Sequence, residues 1–132
     1  MKKINYFLSY WAPPAVWMLL IFYFSSQQRV QVTGTFLFDF LIFKGLHVIE
    51  YAFLYFLLFR GFYSLKQKYL DRKKKLVIPL LIALLYAISD EIHQTLVPTR
   101  EGKFRDVFFD AFGILLMYIY SRTFSESIKK FL

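Results

Sequence analysis

The sequence predicts an all-α polytopic membrane protein: four transmembrane helices in an antiparallel bundle, with both termini on the cytoplasmic side. Three observations carry this. Hydrophobic residues make up 58% of the 132-residue chain and aromatic residues 22%, well above an ordinary soluble domain. The apolar residues are gathered into long runs separated by charged segments, and each spanning helix needs about 20 mostly apolar residues. Lysine and arginine collect in alternate segments between those runs, the bias that orients membrane proteins. The length suits one domain, 1–132.

The first span is expected at 6–24. Lys2 and Lys3 followed by an apolar run resemble a signal peptide, but there is no small-residue cleavage pattern, so the run reads as a retained helix. Pro13 and Pro14 remove backbone donors and should kink this span or mark its true start. A polar connector, 25–35, leads to Phe36-Leu37-Phe38-Asp39-Phe40, expected at the interface, and then to a second span at 41–63. A strongly basic linker, 64–75, precedes the third span at 76–97. Residues 98–106 leave room only for a tight loop before the fourth span at 107–123. There is no internal repeat and no low-complexity tract.

Orientation follows from the charges. With the N-terminus inside, twelve basic and two acidic residues fall on the cytoplasmic side, against five basic (Arg29, Lys44, Arg100, Lys103, Arg105) and seven acidic outside. The net charge of +8 thus divides into +10 inside and −2 outside. Anionic inner-leaflet lipid is the expected counter-charge, at about 1 kcal/mol per basic residue near the surface. No nucleic-acid partner is expected, since no recognition motif accompanies the charge. The absence of cysteine excludes disulfides, thiolate catalysis and thiolate metal sites.

This orientation gathers the unusual polar residues on the outer side. In the second span Lys44, His47 and Tyr51 share one face, with Glu50 a little around it and roughly 9 Å deeper than Lys44. In the third span Asp90, His93 and Gln94 share a face, while Glu91 points about 100° away from Asp90. Asp106 opens the fourth span, Asp110 lies one turn deeper, and Gly113 continues that face and permits close helix approach. Ser25-Ser26-Gln27 ends the first span at the same level. Ionisable groups at such depth need partners or a hydrated cavity. A polar pocket opening outward, built from all four helices, is the simplest arrangement that satisfies them. The bland alternative is a set of ion pairs that only fix helix register. The aromatics Phe36, Phe38, Phe40, Tyr51 and Tyr55 read as lipid-facing and interfacial.

The residues Phe24-Ser25-Ser26-Gln27, Lys44, His47, Tyr51, Ser89-Asp90-Glu91-Ile92-His93-Gln94, Pro98, Arg100, Asp106, Asp110 and Gly113 resemble the VanZ family of bacterial membrane proteins over about residues 10–120. Thr99 stands where that family often has glycine, and Asp110 where it often has asparagine. The resemblance implies a plasma-membrane protein and resistance to teicoplanin, a lipid-bearing glycopeptide, by a route without the depsipeptide ligase. It implies no established reaction.

Three functional readings stay open. In the first, the pocket binds an amphiphile: membrane lipid, a lipid-linked cell-wall intermediate, or the glycopeptide tail. Lys44, Arg100 and Arg105 would then hold phosphate or carboxylate, within a ligand-binding set completed by Ser26, Gln27, Glu50, Tyr51, Gln94, Asp106 and Asp110. In the second, a small intramembrane enzyme acts on an outer-leaflet headgroup. Asp90 or Glu91 would be its general acid or base, His47 or His93 the partner, and Arg100 the clamp. The third is proton-coupled transport of lipid or drug, which would require a homodimer. No cofactor and no metal are expected. The pairs His47-x-x-Glu50 and Asp90-x-x-His93 have the spacing of bundle metal sites, but that spacing is common by chance.

Overall fold

The computed structural model describes residues 2–28, 34–66, 68–98, 100 and 102–128, without the side chains of residues 2, 3 and 126–128. Arg29, Thr99, Glu101, Lys129 and Lys130 lie outside the described residues, as do the Lys2, Lys3 and Glu126 side chains. The chain forms α1 (Lys2–Tyr10), α2 (Ala12–Ser25), α3 (Phe36–Tyr63), α4 (Arg72–Gln94), a single 3-10 turn (Phe104–Asp106) and α5 (Val107–Ile128). Three segments, Phe36–Tyr63, Arg72–Gln94 and Phe104–Ser125, are long and apolar enough to cross a membrane; the bent α1–α2 pair makes a fourth if it is one span. The protein is multi-pass by helix length and composition.

The first span breaks where the prolines require it. Proline fits the first turn of a helix, where its missing N–H is unpaired anyway. Pro13 and Pro14 accordingly open α2 rather than interrupting a longer helix. The two halves meet at 43°. Phe36–Phe40, expected at the interface, is helical and forms the first turn of α3. At about 1.5 Å per residue the 28 residues of α3 reach roughly 42 Å, beyond a hydrocarbon core of about 30 Å, so its outer turns extend into or past the interface.

The linker is tied down at both helix ends. Asp71 caps α4, its side chain accepting from the Lys74 N–H at 2.8 Å; that hydrogen bond holds its carboxyl below the usual aspartate range. Lys75, buried at the next turn, donates its ammonium to the Tyr63 and Leu65 carbonyls and so closes the C-terminus of α3.

The core is built around α3. Tyr51, Leu54, Tyr55, Leu58 and Phe59 pack against Ala83 and Ala87 of α4 and Ile114 of α5. Cross-contacts set the directions. Trp17 of α2 donates to the Glu50 carbonyl and Arg60 to Ser9, so the first span runs opposite to α3. Tyr86 donates to the Met18 carbonyl while Ser25 meets Asp90, so α2 and α4 run the same way. Lys44–Asp106, His47–Asp110 and Tyr55–Tyr118 show that α3 and α5 also run together. Tyr51 and Tyr55 are fully buried, at 0% exposure, which corrects the expectation that they face lipid. Their rings fill the space between the central helix and its neighbours. Phe36 and Phe38 are exposed as expected.

Candidate functional site

Two rungs join α3 to α5. Residues three or four apart on a helix share a face, so Lys44 and His47 can address Asp106 and Asp110 in turn. Lys44 Nζ lies 2.6 Å from Asp106 Oδ2, and His47 Nδ1 lies 3.0 Å from Asp110 Oδ1. One turn deeper the backbones come together: a Cβ added to Gly113 would overlap the Val48 carbonyl. Glycine is what allows the rungs to be this short.

The end of α4 turns one carboxylate to each side. Asp90 faces α2, where its Oδ2 accepts from Ser25 Oγ at 2.9 Å and from Gln94 Nε2 at 2.8 Å. Glu91, about 100° further around, faces α5 and the loop, where its Oε2 accepts from the Lys103 N–H at 3.1 Å. Both are buried, at 3% and 4% exposure. The rotation of the third span inferred from sequence thus places Glu91 inward, away from lipid. Gly102 lies against the Glu91 carbonyl and the Thr95 amide, with no space for a side chain, which brings the loop onto the helix end.

Arg100 ties the first span to this loop. Its guanidinium donates to the Gln27 carbonyl at 2.7 Å, the Phe24 carbonyl at 3.0 Å and Gln94 Oε1 at 3.2 Å. The first two acceptors lie at the C-terminal end of α2, where carbonyls lack intrahelical partners and a cation is favoured.

Between these elements lies a cavity of about 520 Å³. It is lined by polar side chains, among them Lys44, His47, Glu50, Gln94, Arg100 and Asp106, and by the apolar Phe24, Phe36, Phe40, Phe43 and Leu46. Ser25, Gln27, Gln28, Lys103 and Arg105 also line it. Asp90, Glu91, Asp110 and Tyr51 sit behind this lining rather than in it. The Tyr51 hydroxyl lies against the Asp90 carboxylate, while Glu91 Oε1 and Asp110 Oδ2 have no hydrogen-bond partner among the described residues.

Two placements differ from the spacing argument. Ser26 and His93 hydrogen-bond to each other at 3.0 Å, and His93 stacks on Phe22 with centroids 4.5 Å apart, off the cavity. The pairs His47/Glu50 and Asp90/His93 therefore do not assemble into one cluster. The groups that do converge are His47, Glu91 and Asp110, whose donor atoms lie within 4.8 Å of one another. Of the two serines that end the first span, the ligand-binding set inferred from sequence takes Ser26. A one-residue difference in helical phase, invisible without the partner helix, puts Ser25 on Asp90. Phe24, Phe43 and Leu46 were missed as cavity residues, because apolar side chains carry no distinguishing signal in a membrane span.

Fold and site together define a class: a small multi-pass membrane protein whose helix ends and loops enclose a cavity with both polar and apolar lining. The VanZ/LLP1 family matches residues 10–125, and the chain belongs to that family. No curated protein and no solved structure matches it.

Proposed function

We propose that the protein binds an amphiphile with an anionic headgroup at the outer leaflet of the plasma membrane, and that this binding lowers susceptibility to lipid-bearing glycopeptides of the teicoplanin type. The observation that carries this reading is that one cavity is lined both by aromatic and aliphatic side chains and by the cations Lys44, Arg100, Lys103 and Arg105. An acyl chain suits the former. A phosphate or carboxylate suits Arg105, whose exposed planar guanidinium can hold two oxygens at once, with Arg100, anchored on Gln27, Phe24 and Gln94, adding its charge beside it. The orientation belongs to the same reading: the excess of basic residues at 64–75 and at the termini favours N-in, C-in, which turns the cavity outward.

The test is direct. In nanodiscs, the protein should retain a phosphate-bearing lipid in preference to a neutral one of the same chain length. Arg100→Ala and Arg105→Ala should each weaken that retention about tenfold, equivalent to about 1.4 kcal/mol. Cells expressing the protein should resist teicoplanin but not a glycopeptide without a lipid tail. Equal retention of both lipids, or undiminished retention by both variants, removes the reading. Loss of one headgroup class from total lipid extracts would transfer it to an intramembrane enzyme.

A further inference from the structure

We propose that His47, Glu91 and Asp110 form a binding site for a divalent transition-metal cation of the Zn²⁺ class, set into the inner wall of the cavity. One donor comes from each of α3, α4 and α5, and the three donor atoms lie within 4.8 Å of one another. Within the group, His47 Nδ1 and Asp110 Oδ1 are 3.0 Å apart. Metal–ligand bonds of about 2.0–2.2 Å place neighbouring ligands of one ion roughly 3–3.5 Å apart, so small side-chain adjustments complete the set.

Unmet demand for a cation points the same way. Asp110 is 0% exposed and Glu91 4%. Each keeps one buried oxygen, Oδ2 and Oε1 respectively, without a hydrogen-bond partner among the described residues. Lys44, the nearby cation on α3, is engaged by Asp106 at 2.6 Å. Two carboxylates buried beside one imidazole are costly unless charge is matched, and a dication matches both. The Lys103 N–H on Glu91 Oε2 supplies the outer hydrogen bond that holds a ligating carboxylate in position.

Donor chemistry selects the ion. Mg²⁺ and Ca²⁺ prefer all-oxygen sites, whereas a nitrogen with two carboxylates suits Zn²⁺ and its neighbours. Three protein donors leave a further position on a tetrahedral ion. His47 lines the cavity, so the ion would lie beside it and add positive charge to its lining.

The experiment uses tag-free, full-length protein in detergent, loaded with Zn²⁺ and dialysed into metal-free buffer. Wild type and an Asp71→Asn control should retain about one Zn²⁺ per chain, and Glu91→Gln and Asp110→Asn about a tenth of that or less. Zn²⁺ should raise the wild-type Tm where Mg²⁺ does not. Co²⁺ should give visible absorption bands of a low-coordinate nitrogen–oxygen site. These last two readouts use wild type alone and stand even if the variants fail to fold. Wild type without stoichiometric Zn²⁺, or variants retaining it equally, overturns the proposal and leaves the three groups a hydrogen-bonded structural contact. No lipid is present, so the outcome is independent of the amphiphile reading.

Discussion

Asp106 and Asp110 lie one turn apart, yet each meets a different partner on α3, and the two contacts serve different ends. Lys44–Asp106 is the better-matched ion pair, 2.6 Å long with both side chains largely buried. Removing one member strands the other in a poorly solvated place, whereas removing both leaves nothing unmatched. Lys44→Ala should therefore cost about 3 kcal/mol of stability in detergent unfolding, and Lys44→Ala with Asp106→Asn should cost less than the two single variants combined. A double-mutant cycle showing simple additivity would reduce the rung to a passive contact. Asp110 stands where asparagine is common in the family, which makes its charge the open point there. The structure gives its carboxylate a specific partner in His47.

At the scale of the helix, the decisive residue is Gly113. Its lack of a side chain sets the spacing of α3 and α5, and the spacing in turn sets both rungs. Gly113→Leu should force the helices apart, costing about 1–3 kcal/mol or more and weakening lipid retention; circular dichroism should still report helical protein. Unchanged unfolding and retention would show that the backbones separate without consequence. Much of this level was legible in advance. A period of 3.6 places Lys44, His47 and Tyr51 on one face and Asp106 and Asp110 on another without any coordinates. What the period cannot supply is which face meets which neighbour. The α3 sequence is apolar nearly all round, so nothing in it says that this helix is central and that Tyr51 and Tyr55 point inward. Asp90 and Glu91 point apart and are nonetheless both buried, because α4 has α2 on one side and α5 on the other. His93 shares a face with Asp90 but is drawn to Phe22 and Ser26 by α2, a contact between residues 67 positions apart.

For the molecule as a whole, the absence of cysteine offers a clean probe of orientation. Phe104→Cys and Tyr69→Cys place single thiols at exposed positions in the loop before α5 and in the linker before α4. In intact cells a membrane-impermeant maleimide should label the first and spare the second until the membrane is opened. The reverse pattern would turn the cavity inward and remove the outer-leaflet reading. The close seam at Gly113 also bears on traffic. Backbones in contact between α3 and α5 leave no gap for an acyl chain to slip between them. The exposed Phe24, Phe36 and Leu46 line the cavity on the side of α2 and α3 instead. Among the described residues, the exposed apolar lining of the cavity thus lies on α2 and α3, which is where a guest travelling sideways within the leaflet would meet it.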